Sequence, residues 1–248
     1  MASQGTWLLF LACAFAAEVI GTMAGFGAAT ILTPIAALFM DIKTAIAIVA
    51  CFHLFGNASR LVFFGRQIDW KLWFQFGLTG VLCSLAGAGA AAQWSAELVK
   101  LSLGIFLLGY VTLSVIESDR ARLPKTAATL VGGGVLSGFL AGLIGTGGAI
   151  RSACLLVFGL PRDVYIGTSA AIALMVDATR IPVYLTGHFI PSQMVPVIGS
   201  LTLAAFAGAW VGRRLVQRIS AAAFRRFVLA MLLLMGIKLV VDAWRDLA

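Results

Sequence analysis

Charge is what this chain has least of. Asp, Glu, Lys and Arg make up 11% of its 248 residues, against 61% hydrophobic residues and a mean hydropathy of +1.01. Soluble domains average about 25% charged residues, so a water-soluble globule is excluded. Segments alternating polar and apolar residues over about ten positions are also missing, which excludes a membrane β-barrel. There is no GxxxxGK[ST] phosphate loop, so ATP hydrolysis would need another chain. No GxSxG elbow accompanies Ser169 and His188, so neither carries a hydrolase reading. The four cysteines (Cys13, Cys51, Cys83, Cys154) lie inside apolar segments without metal-like spacing and read as small packing residues. No cofactor is implied. The net charge of +8 is scattered through short loops, which suits membrane topology and anionic lipid better than nucleic acid.

What the chain does have is apolar length. The stretches are 7–40, 44–65, 70–92, 98–117, 126–160, 164–187, 192–212 and 223–244. Six of them run 20 to 24 residues, the length of one tilted span. The first and fifth, at 34 and 35 residues, do not fit. A straight helix that long reaches about 50 Å, against a hydrocarbon core of about 30 Å. Both must break or fold back. Although Trp7–Ala17 is apolar, MASQGT before it has no Lys or Arg, so the segment reads as mature protein and not as a signal peptide.

The positive-inside rule separates the two options. If every stretch crosses once, the loop Lys and Arg residues divide 8 against 7, which carries no signal. If the long stretches are hairpins, Arg66, Lys71, Arg120, Arg122, Lys125, Arg162, Arg213, Arg214, Arg218, Arg225 and Arg226 share one side. Lys43, Lys100, Lys238 and Arg245 take the other, a division of 11 against 4. The hairpin arrangement puts both termini on the non-cytoplasmic side.

An internal repeat agrees. Gly25-Phe26-Gly27 matches Gly145-Thr146-Gly147 at an offset of 120, in the middle of the two long stretches, and GRQI at 65–68 matches GHFI at 187–190. Each half, 1–120 and 121–248, is then a hairpin plus three spans. That odd number of crossings turns the second copy upside down. The expected fold is an all-α polytopic membrane protein of two inverted repeats, with a site where the interrupted segments meet near the midplane.

Each arm of the first hairpin is expected to have about 16 residues, or about 24 Å of helix. Glycines reach positive φ without strain, and helix N-termini starting at the tips favour an anion. Gly21-xxx-Gly25 and Gly138-xxx-Gly142 are equally the small-residue spacing of close helix packing. Arg60, Arg151 and Arg180 lie inside apolar segments, where charge marks a partner or a substrate path. Arg151, four residues past Gly147, could grip an oxyanion bidentately; the alternative is an ion pair with Glu18 or Asp177. Arg60 and Arg180 either serve substrate or gating, or snorkel to the interface. Gly148, Asn57, Thr168 and Ser169 complete a candidate lining, although the hydroxyls can also bond their own helices. Asp177, Glu18 and His53 are candidates for coupling or gating; His53 either relays protons or is a hydrogen-bonded core residue. His188 falls in a short loop and reads as solvated.

With these residues in hand, the chain resembles the TauE/SafE-type sulfite exporter family of membrane permeases. The resemblance rests on GFLAGLIGTGGAI (138–150), supported by GTMAGFGAATILTP (21–34) and the two-repeat layout. It departs from the family pattern at Ala28, Ala29, Ala149 and Cys154, and in carrying Arg151 where an apolar residue is expected. The resemblance implies transport of small anions (sulfite, sulfonates, related sulfur oxyanions or organic acids) across a bacterial cytoplasmic membrane. The leading expectation is a secondary transporter working by alternating access. The alternatives are an anion channel, or a scaffold or assembly factor that transports nothing. Expected partners are a small anion, membrane lipids and a second copy of the chain.

Overall fold

The computed structural model describes residues 4–24, 27–64, 67–116, 123–215 and 221–247. Among these residues there are ten α-helices and no strand. The first five are α1 (Gln4–Ala24), α2 (Ala29–Ala36), α3 (Ile42–Phe64), α4 (Trp70–Gln93) and α5 (Ala96–Ile116). They are followed by α6 (Ala127–Ile144), α7 (Gly148–Leu156), α8 (Arg162–Thr186), α9 (Val195–Leu215) and α10 (Ala221–Leu247). Seven segments, α1, α3, α4, α5, α6, α8 and α9 with its leading turn, are long and apolar enough to cross a membrane. Gly25 and the loop residues Arg66, Arg120, Arg122 and Arg218 lie outside the described residues.

Polar loop residues set where spans begin. Asp41 Oδ2 accepts N–H bonds from Lys43 (2.9 Å) and Thr44 (3.3 Å), and Asp69 Oδ1 accepts one from Leu72 (3.0 Å). Ser95 Oγ and Thr126 Oγ1 do the same for Leu98 and Thr129, each at 3.3 Å. Each fills a donor that a first helical turn leaves open, and no lipid could do so.

Both long apolar stretches break at their glycines. The arms are unequal: 21 residues in α1 against 8 in α2, and 18 in α6 against 9 in α7. The expectation of two similar arms in the first stretch is therefore corrected. Hydropathy marks where the chain leaves water, whereas helix ends follow backbone hydrogen bonds. Thus α1 runs back into polar Gln4, and α2 gives way to turns at Ala37–Met40. Both stretches fold back on themselves. The Phe10 and Phe39 rings lie 5.3 Å apart, and Lys125 Nζ is 3.8 Å from where a Cβ on Gly159 would sit.

The two central spans, α3 and α8, are the most buried and run antiparallel. After α3, the Asp69 N–H donates to Thr168 Oγ1 (2.9 Å) near the start of α8. Lys43, at the start of α3, lies 5.3 Å over the Phe189 ring beyond the end of α8. Around this pair, α4 packs on α8 and α6, α9 on α3 and α1, and α5 on α10. Large apolar side chains such as Leu8, Leu82, Ile105, Leu203 and Trp244 are exposed on the outside, a surface suited to lipid.

Small residues let α4 and α6 approach closely. A Cβ on Gly138 would collide with the Gly80 carbonyl oxygen, and one on Gly142 with that of Ser84. Gly138-xxx-Gly142 is thus a packing motif, acting where contact and not water drives helix association. Replacing Gly138 by Leu should cost more than the about 1–3 kcal/mol of ordinary overpacking, because backbone cannot yield as a side chain can. Thermal unfolding in detergent should show a large drop for Gly138→Leu. Gly89→Leu should change little, since no atom beyond its own helix backbone lies within 4 Å of its added Cβ.

Candidate functional site

Gly27 (φ +88°) and Gly145 (φ +77°) make the two breaks in the left-handed region that side chains resist. The Gly27 N–H donates to the Gly21 carbonyl (3.3 Å) and the Gly145 N–H to the Ala141 carbonyl (3.1 Å). Past the second break, the Arg151 N–H donates to the Gly147 carbonyl (3.1 Å) and opens α7. The breaks meet: Thr30 Oγ1, in the first turn of α2, is 2.8 Å from Thr146 Oγ1, just ahead of α7. Ala28 and Gly147 occupy the two N-caps and supply no side-chain cap. The positive dipole ends of two short helices therefore adjoin inside the protein.

Beside this junction runs a buried polar chain. Arg60 donates from Nη2 to Glu18 Oε1, from Nε to Thr22 Oγ1 (3.0 Å) and from Nη1 to Asn57 Oδ1 (2.8 Å). Asn57 Nδ2 donates to the His53 carbonyl (2.8 Å) and reaches Asp177 Oδ2 at 3.4 Å. His53 Nδ1 lies 2.8 Å from Asp177 Oδ2. A carboxylate only accepts, so Nδ1 carries the proton of this pair. Arg180 donates to Asp177 Oδ1 from Nε (3.0 Å) and Nη2 (2.7 Å), and from Nη1 to the Ala141 carbonyl. The Tyr184 hydroxyl donates to the Gly142 carbonyl. One connected path thus links α1, α3, α8 and the last turn of α6.

These contacts decide between the readings left open above. Arg60 and Arg180 are 3% and 1% exposed and bond inward, so neither snorkels. Glu18 pairs with Arg60, and Asp177 with Arg180 and His53. Arg151 is buried and donates from Nε to Ser169 Oγ (3.0 Å). Gly147 and Gly148 sit buried at the start of α7. Thr168 does not join the path; its hydroxyl ties the loop before α4, as described above. His188 is exposed at φ +57°. Among the described residues, the buried charges are three guanidiniums and two carboxylates, with His53 beside them.

Four participants escaped the sequence reading: Thr22, Thr30, Thr146 and Tyr184. Two had a usable signal, since Thr22 follows Glu18 and Tyr184 follows Arg180 by one helical turn. Asn57 and Asp177, and likewise Arg60 and Arg180, stand 120 positions apart, the offset of the glycine tips. Each arginine has a carboxylate, but from a different place. Arg60 takes Glu18 from α1, while Arg180 takes Asp177 from its own helix, one turn back.

A family model described as sulfite exporter TauE/SafE matches residues 9–239. A curated relative, "Sulfite exporter TauE/SafE family protein 3" of Arabidopsis thaliana, is 27% identical over 153 residues, covering 57% of this chain and 32% of the relative. The match thus spans about a third of that relative's length. No solved structure matches the chain.

Removing one partner from a buried ion pair strands the other charge, at a cost of about 3–5 kcal/mol, whereas replacing both with apolar groups is often neutral. Arg60→Met should therefore lower the unfolding midpoint in detergent sharply. The double variant Glu18→Leu/Arg60→Met should recover most of the loss. A double variant no more stable than the single one would show that the pair is not what holds α1 to α3.

Proposed function

The chain belongs to the TauE/SafE sulfite exporter family, and on that premise we propose that it is a secondary transporter of a small sulfur oxyanion, sulfite or an organosulfonate. The observation that carries this reading is the meeting of the α2 and α7 amino ends at Thr30 and Thr146, with Arg151 in the first turn of α7. Uncapped helix N-termini offer N–H donors and positive potential to an anion. A guanidinium adds two parallel donors that match an oxyanion edge. Three buried arginines against two carboxylates leave the neighbourhood with room for a negative guest. Gly27 and Gly145 make the turns that bring the two helix starts together, and Gly147 and Gly148 begin α7 without side chains.

The 120-residue offset, the antiparallel α3 and α8, and the matching contacts of α1 on α9 and α6 on α4 support two inverted repeats, 1–120 and 121–248. In such an architecture the halves rock about the junction and expose it to each face in turn. The Thr30–Thr146 contact would open when the anion arrives. With no nucleotide loop in the chain, ion or potential gradients drive the cycle. We place the basic end, with Lys125, Arg162 and Arg213, in the cytoplasm. On this reading Lys100, which pairs with Asp246 (2.6 Å), lies at the opposite, outward end.

In proteoliposomes, Arg151→Ala should lower sulfite flux at least about tenfold, in line with loss of a charged hydrogen bond worth about 1.5–3 kcal/mol, with the protein still folded in detergent. Wild-type flux in that variant would remove Arg151 from the site. A single cysteine introduced at Lys125 in a cysteine-free background should react with an impermeant maleimide only from the cytoplasmic side, and one at Lys100 only from outside. The reverse pattern would overturn the orientation.

A further inference from the structure

We infer that His53 carries a proton bound together with the anion, so that anion and proton occupancy are thermodynamically coupled. The inference rests on the anion site proposed above and adds to it the group that charges the site. His53 is 4% exposed, in the middle of α3. Its Nδ1 is committed to Asp177, whereas Nε2 is buried without a hydrogen-bond partner. That free nitrogen points at the first break. A Cβ on Gly27 would collide with Nε2, so glycine at this position is needed twice, once for its positive φ and once to admit the imidazole. A buried acceptor aimed at the junction from which α2 starts has a use only when something at that junction offers or needs a hydrogen.

The charges facing His53 explain why proton and anion come together. Asp177 and Arg180 face it from α8, Asn57 and Arg60 from its own helix, and Arg151 from α7. Glu18, from α1, is held to Arg60, and α2 contributes no titratable group. With His53 neutral, the two carboxylates and three guanidiniums sum to one positive charge. Protonating Nε2 makes it two, in a setting where an extra buried cation is costly. An oxyanion at the junction removes that cost by accepting Nε2–H. Without the proton, Nε2 would present a lone pair to the anion and repel it. Each ligand therefore raises the affinity for the other, by the same factor in both directions. A dianion and one proton would cross as a single net negative charge, which an inside-negative potential drives outward.

The chain has only two histidines, so His188→Asn leaves His53 as the sole imidazole, with Asn suited to the left-handed backbone there. This variant, labelled with 15N-histidine in detergent, is titrated from pH 5 to 9 alone, with sulfite, and with methanesulfonate, which carries one charge throughout. Saturating anion should raise the His53 titration midpoint by one pH unit or more. Methanesulfonate affinity measured by calorimetry should fall about tenfold per pH unit above the midpoint of the anion-free protein, as linkage to one proton requires. In His53→Gln the methanesulfonate affinity should be flat with pH, and it is this anion's slope that decides. A His53 midpoint that does not move with either bound anion, or an unchanged pH slope in His53→Gln, overturns the coupling and leaves the anion site standing. Absence of binding by both anions in the wild-type protein overturns the anion site and the coupling together.

Discussion

The ion pairing inside the bundle is the constraint on which everything else depends. Three arginines and two carboxylates lie where solvation is weak, and an isolated charge there costs several kcal/mol. Each is bonded inside the bundle: the Glu18–Arg60 and Asp177–His53 pairs join different helices, whereas Arg180 takes Asp177 from its own. Glu18 ties α1 to α3 through Arg60. Asp177 ties α8 to α3 through His53, and Arg180 carries the chain on to the last turn of α6. Loosen one link and a charge is stranded, so helices that lipid alone would not order are held in a defined arrangement.

That arrangement brings the two glycine breaks together. The carbonyl of Ala141 takes both the Gly145 N–H, which closes α6, and the Arg180 guanidinium. The second break is thereby anchored to the charge path. The first is anchored by Gly27 lying against His53. The helix N-termini and the charge path thus form one unit, and occupancy of the junction would be felt along the path to α1 and α6. Packing by small residues on α4 and α9 supports the same geometry from outside, letting α6 and α1 come close enough for these bonds to form.

The readings that succeeded and those that failed divide along a physical line. Asn57, Arg60, Asp177 and Arg180 stood out because polar side chains inside apolar runs are rare and costly, which makes them visible one at a time. Thr30 and Thr146 were invisible because a threonine hydroxyl can bond nearby backbone, and only a partner 116 residues away gives it a role. Thr168 looked like lining and ties a loop, since a hydroxyl's partner cannot be known from its position in the chain. The unequal arms of the first stretch were hidden for another reason, because hydropathy reports the boundary with water and not the end of a helix.

By itself, then, the sequence determined the helical membrane class, the breaks at two glycine clusters, the fold-back of the long stretches and the buried charges. These follow from composition, from span length against bilayer thickness and from loop charge, all of them local or additive properties. Only the tertiary structure decided which carboxylate serves which arginine, that the two breaks touch, and that one nitrogen of His53 is anchored while the other faces Gly27. Those outcomes depend on which helix faces meet, and in a bundle the meeting faces are chosen by distant pairings that no single segment encodes.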